Sequence, residues 1–344
     1  MRFALSHTVL CLLLTASFTG CSLVDEDLRD CETDYTLDYE LRLVTNMTTE
    51  LQTQLSMATD VSVSNALKNY LDDVFTDHAQ DIDLGFYDVV GDSVLLHRET
   101  HVMDANQSSY TLYIPVRQYM HIATANLAEN KLFSVEGASN CHTLRVAQQV
   151  RDTVPSHTAG FFTARLPMDV KEGEDQQFDV RLYMANCASS LVVDTLGSRI
   201  RDLRVFMTGF ATSFDLCDSV YHYDYTPVVR ADRMEPETPG SICYASVTFP
   251  SRQVEDTKTI INADDPFVSE NADQSLWQIR VYCVLADGTT TETILGVSKP
   301  LIPGQFKLIK ARAYNNGTIA PGDPTISVSV TLDWTPGLEI PVDL

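Results

Sequence analysis

Tyr35-Thr36-Leu37-Asp38-Tyr39-Glu40-Leu41-Arg42-Leu43 decides the fold class. Large apolar residues take every odd position and polar residues every even one. That period of two puts one face of a strand in a core and the other in water. The same signature returns along the chain. Ile82, Leu84 and Phe86 alternate, as do Tyr110, Leu112, Ile114 and Val116, followed by Tyr119 to Ile122. Phe178, Val180, Leu182 and Met184 open a second series, continued by Leu203–Met207, Cys243–Phe249, Trp277–Leu285, Gln305–Ala313 and Ile326–Trp334. Val90-Gly91-Asp92 and Asp287-Gly288 supply turns. Short strands with turn signals between them predict an all-β protein of sandwiches. One helix interrupts the pattern. Ser64 is a candidate cap, and Leu67, Tyr70, Leu71, Val74 and Phe75 follow at helical spacing.

The N-terminus carries a different message. Arg2 is the only formal charge before Cys21, Val9–Ala16 is a short apolar run, and Thr19-Gly20 abut Cys21. That is the pattern of a cleaved leader, with small residues before the cut. The run is too short for a bilayer span, which needs about 20 apolar residues. A cysteine just after the small pair predicts lipid attachment at Cys21, with Phe18 departing from the usual aliphatic residue at the head of that motif. Residues 1–20 are read as a lipoprotein signal peptide and 21–34 as an acidic tether. A strand domain is expected over 35–170 and a second over 178–344, separated by the polar run 168–177.

The chain has 344 residues and is 44% hydrophobic, enough for packed cores. Its formal net charge of −23 becomes −24 once Arg2 leaves with the leader. Such acidity argues against nucleic acid as a partner. Of eight cysteines, Cys11 lies in the leader and Cys21 is the lipid site. The other six, Cys31, Cys141, Cys187, Cys217, Cys243 and Cys283, are candidate disulfide partners, with several connectivities open. Cys31 with Cys141 is the expected bridge in the first half. Cys243 and Cys283 fall in step with apolar strand residues and fit buried free thiols equally well.

The chain end is amphipathic. Ile326, Val328, Val330, Leu332 and Trp334 alternate with polar residues, and after Thr335-Pro336-Gly337 so do Leu338, Ile340, Val342 and Leu344. Chain ends are normally frayed and polar. This one predicts a strand that either closes its own domain or is donated to another subunit. Catalytic signatures are missing from the sequence: there is no helical metal pair among the histidines, no nucleophile elbow and no phosphate loop. No enzyme activity, cofactor, metal or small-molecule substrate is expected. The acidic groups 262–265 and 270–273 suit turns better than calcium loops, and Tyr221-His222-Tyr223-Asp224-Tyr225 suits a half-buried strand better than a sugar platform.

The lipobox cysteine, the spacer D-E-D-L-R-D-C at 25–31, the first strand ending Thr45-Asn46-Met47, the segment Tyr110–Asn126 and the closing V-T-L-D-W-T-P-G at 330–337 occur in one order. Together they resemble the FimB-like fimbrial anchor subunits of Bacteroidales, in the type V pilus superfamily. The resemblance implies two tandem transthyretin-like Greek-key β-sandwich domains, export to the outer membrane as a lipoprotein, and fimbrial stalk subunits as partners. It also implies a retained first strand in an uncut anchor, against a first strand lost by proteolysis after an arginine in stalk pilins. Arg29 and Arg42 are the basic residues near that strand, and neither follows it. Two alternatives stay open: a polymerising stalk or tip subunit, and a surface glycan-binding lipoprotein. Replacing Cys21 by Ser should abolish palmitate labelling and move the protein from the membrane to the soluble fraction. Unchanged membrane retention would refute lipid attachment at this residue.

Overall fold

Cys187–Asp194 reads C-A-S-S-L-V-V-D, without alternation, and it is the strand on which two cores meet. In the computed structural model, which describes residues 34–43, 47–75, 79, 81–102, 109–127, 130–149, 153–172, 176–196, 199–252, 268–269, 275–321 and 328–331, the chain is an all-β arrangement of packed sheets with two short helices. In chain order the strands of the first half are β1 (Asp34–Leu43), β2 (Asp81–Asp88), β3 (Leu95–Val102), β4 (Ser109–Pro115), β5 (Gln118–Ala125), β6 (Phe133–Glu136), β7 (Arg145–Gln148), β8 (Thr153–Pro155), β9 (Phe162–Asp169) and β10 (Gln177–Met184). Then come β11 (Cys187–Asp194), β12 (Ile200–Thr208), β13 (Ser213–Asp215), β14 (Val220–His222), β15 (Val228–Arg230), β16 (Asp232–Met234) and β17 (Ser241–Thr248). The last are β18 (Val268–Ser269), β19 (Trp277–Leu285), β20 (Thr290–Val297), β21 (Gln305–Ala313), β22 (Ile319–Pro321) and β23 (Val328–Thr331). Helices α1 (Met47–Ala58) and α2 (Val61–Leu71) follow β1.

Four sheets result. Sheet I runs β3-β2-β5-β9-β10-β1-β4, sheet II runs β16-β17-β11-β21-β22 with β23 also on β21, sheet III runs β18-β20-β19-β12-β15-β8, and sheet IV runs β14-β13-β7-β6. Sheets II and III form a sandwich. Leu191 and Val193 of β11 and Ile309 and Ala311 of β21 meet Val205 and Met207 of β12 and Ile279 and Val281 of β19. The opposite face of sheet II gives Ala188, Val192, Ala245, Val247, Phe306 and Leu308 to another core. That core holds the inner face of sheet I and the buried stripe of both helices. A third core joins Tyr87 and Ile122, on the outer face of sheet I, to sheet IV. Sheet IV draws β6 and β7 from the first half and β13 and β14 from the second, and β8 pairs with β15.

The helical segment departs from expectation in two ways. There are two helices rather than one, and Asp60, not Ser64, caps the second: its carboxylate accepts from Val63 N at 3.0 Å. Ser64 lies a turn inside and is buried. The carboxylate satisfies an otherwise orphaned amide, and starting there sets Val63, Leu67 and Leu71 on one buried stripe. Among the described side chains of α1, from Leu51 on, Leu51, Leu55 and Ala58 are buried. Its polar remainder hid the helical period.

The described residues of the polar run, 168–172 and 176–177, end β9 and begin β10, and Gln176 Nε2 donates to Asp169 O at 2.9 Å. β10 adds to sheet I, and the passage to sheet II falls at Ala185 and Asn186.

Cys141 is bonded to Cys217, with Cα atoms 5.5 Å apart, so the expected Cys31–Cys141 bridge is corrected; Cys31 lies outside the described residues. The bond links the loop between β6 and β7 to the segment after β13 across 76 residues of sequence. Chain-entropy arguments give such a closure about 4 kcal/mol. Replacing Cys217 by Ser should lower the melting temperature by roughly 10 °C, measured calorimetrically. No change would mean the bridge is dispensable to sheet IV.

Candidate functional site

β1 is an interior strand of sheet I. It runs parallel to β10, with Leu41 opposite Val180 and Leu43 opposite Leu182. It runs antiparallel to β4, with Tyr35 opposite Ile114 and Leu37 opposite Leu112. The partner residues Leu112, Ile114, Val180 and Leu182 are all buried. β4 is the edge of the sheet and joins it through β1 alone. Taking β1 away would open a slot about two strand spacings wide, roughly 9–10 Å, with unpaired backbone on both walls and an apolar floor.

The other end of the chain sits on β21. Val328 lies opposite Leu308, Val330 opposite Phe306 and Thr331 opposite Gln305. β22 pairs with the later part of the same edge, Ala313 with Ile319 and Ala311 with Pro321. Val328 and Val330, read from the sequence as donor-strand residues, are thus paired within their own sheet. Ile326, Leu332, Trp334, Leu338, Ile340, Val342 and Leu344 lie outside the described residues, as do Cys21, the tether before Asp34 and the acidic groups 262–265 and 270–273.

β21 carries a feature that the sequence pattern hides. Lys307, opposite Ser329, is 1% exposed, and its Nζ donates to Pro300 O at 3.2 Å. Burial pushes its pKa down to about 7, helped by the nearby Lys299 charge.

The remaining candidates resolve into structure. Cys187, Cys243 and Cys283 are free and buried, and burial raises all three thiols, the first two to about 12. Groups held so far from the thiolate form make poor nucleophiles and poor metal ligands. Tyr221 packs 4.4 Å from the Phe214 ring, and its hydroxyl donates to Ala185 O at 2.6 Å. Tyr223 donates to Ser251 O at 2.7 Å. Both rings are tied inward, so the run 221–225 is a half-buried strand and its flank, as its composition suggests. His222 Nε2 instead meets Asp215, which also pairs with Arg145 at 2.8 Å. His97 and His101 both lie on β3, and His97 pairs with Glu99 at 2.8 Å. Among the described residues, His142, Cys217 and Asp218 are close enough to suggest a metal, but the sulfur is spent in the disulfide.

Lys307 gives a test with a defined sign. A lysine whose folded pKa is depressed contributes its full stability above the unfolded value of about 10.5 and loses it as pH falls toward 7. Lys307→Met should therefore stabilise the fold by about 2 kcal/mol at pH 6. The gain should shrink steadily toward pH 10 in denaturant titrations. A gain that does not depend on pH would contradict the buried amine.

No family model matches the chain, and no curated protein matches it. Solved structures do. A protein of Bacteroides thetaiotaomicron VPI-5482 described as a candidate polysaccharide-binding protein superposes with a TM-score of 0.52 at 11% identity, covering 85% of this chain and 97% of that one. A candidate adhesin from the same organism gives 0.50 at 11% identity, covering 88% and 100%. A C-terminally truncated tip fimbrial protein, Mfa3 from Porphyromonas gingivalis, gives 0.42 at 9% identity, covering 84% and 99%. The first two share the fold of this chain over most of its length.

Proposed function

We propose that this chain is an outer-membrane lipoprotein, held by lipid at Cys21, that serves as an anchor or accessory subunit of a fimbrium and joins neighbouring pilins by β-strand complementation. The observation that carries the reading is the position of β1. A strand next to the proposed membrane tether lies inside sheet I, one strand in from its edge, and is hydrogen-bonded on both sides. A subunit built this way keeps its own slot filled and ends a polymer rather than accepting a strand from the next pilin. Its fold is shared with a candidate adhesin, and the order of its sequence motifs resembles the fimbrial anchor family. The partners are fimbrial stalk subunits, engaged through the amphipathic region 326–344, of which 328–331 pair at home in the isolated chain.

Two readings compete. A stalk or tip subunit would lose β1 on maturation. A glycan-binding surface lipoprotein is favoured by the fold shared with the candidate polysaccharide-binding protein. N-terminal mass spectrometry of the surface-exposed protein separates them from the anchor. A lipidated Cys21 in the assembled fibre is the expected result, and a new N-terminus beyond Leu43 would rule the anchor out. A lipidated N-terminus in a protein that never co-purifies with a fibre would favour the glycan binder. Deleting 338–344 should leave the monomer folded and weaken its attachment to the neighbouring subunit.

A further inference from the structure

We propose that the cavity between the outer face of sheet I and sheet IV binds a small, neutral, polyhydroxylated ligand of the saccharide class. The inference stands apart from the fimbrial reading, because it concerns neither β1 nor the chain end. The cavity measures about 310 Å³, at the small end for ligand sites and large enough for one or two sugar rings.

Its floor comes from the side of β2 that faces away from the first core. Asp81, Asp83, Gly85 and Tyr87 line it, while the alternate residues Ile82, Leu84 and Phe86 are buried in that core. β3 adds Arg98 and Thr100, and β5 adds Ile122 and Thr124. The ladders bring these together: Asp83 lies opposite both Thr100 and Thr124, and Gly85 opposite both Arg98 and Ile122. Leu144 and Leu216 line the other side. Gly85 is needed for this shape. A Cβ there would lie 2.8 Å from the Tyr87 ring, which folds over the bare backbone.

The polar groups fix the chemistry. Arg98 Nε donates to both Asp83 oxygens, at 2.8 and 2.9 Å, so the acid is neutralised and oriented. Asp81 Oδ1 accepts from Leu127 N at 3.1 Å. Thr124 also lines the cavity, is 7% exposed, and adds a hydroxyl. An apolar ligand would bury that hydroxyl and the Asp83–Arg98 pair without compensation. With Asp83 and Arg98 paired, Asp81 leaves the lining with a net negative charge that repels an anion, and a cation would have to sit beside the Arg98 guanidinium. A ring with hydroxyls on one side and C–H groups on the other satisfies both the polar floor and the leucine wall. That wall is fixed in advance. Leu216 N donates to Leu144 O at 3.0 Å beside the Cys141–Cys217 bond, and Tyr87 donates to Ala138 O at 3.1 Å. Such preorganisation lowers the ordering cost of binding.

The test is a titration of the full chain, carrying Cys21→Ser for solubility, with methyl glycosides of glucose, galactose and N-acetylglucosamine, and separately with argininamide and inorganic phosphate. Binding is read by saturation-transfer NMR and calorimetry. At least one glycoside should bind at a single site in the millimolar range, with argininamide and phosphate silent. Thr124→Val, which keeps shape and removes the hydroxyl, should weaken binding about five-fold, the worth of one hydrogen bond. Val135→Trp, at the exposed rim, should block the cavity without touching a core. The proposal is overturned if no glycoside binds, if argininamide or phosphate binds instead, or if glycoside binding survives Val135→Trp at full strength.

Discussion

Sheet II is buried on both faces, and the rest of the architecture follows from that. β11 and β21 run parallel in its centre, with β17 antiparallel on the far side of β11. One face needs sheet III as a cover, and the other needs the helices and sheet I. Parallel strands are normally found with both faces covered, because their connections cross over rather than turn back. Here the cover on one side is the structure that β1 completes. β23 and β1 are therefore linked through packing: β23 lies on β21 of sheet II, and β1 lies one strand in from the edge of sheet I.

The same constraint explains what could be read in advance. Where one strand face is wet, alternation announces it, as in β12 and β19. β11 has two dry faces. Ala188 and Val192 enter one core and Cys187, Leu191 and Val193 the other, with Ser189 and Ser190 buried between them. A strand so placed has no reason to alternate, and period-two reading passes over it. α1 escaped for the opposite reason, since among its described side chains the buried stripe is Leu51, Leu55 and Ala58 amid polar residues. Cysteine spacing carries no information about which pairs meet, so the bond to Cys217 needed the three-dimensional arrangement.

Function was less legible than fold. The position of β1 was suggested by its pattern, but its place between β10 and β4 depends on register across distant segments. The cavity left no trace in the sequence at all. Asp83, Arg98 and Thr124 are unremarkable surface-type residues until two ladders align them, and Gly85 looks like a weakened strand position rather than a space-making one. The aromatic run at 221–225 has the composition of a sugar platform, but Tyr221 and Tyr223 pack against the third core.

The interior placement of β1 has a mechanical consequence. A pull applied to the residues before Asp34 acts along the strand axis, so it loads the ladders to β4 and β10 in shear. Bonds loaded this way share the force and must fail together, unlike the successive unzipping of a hairpin peeled from its end. β1 is thus shaped to resist tension that reaches it along its own axis.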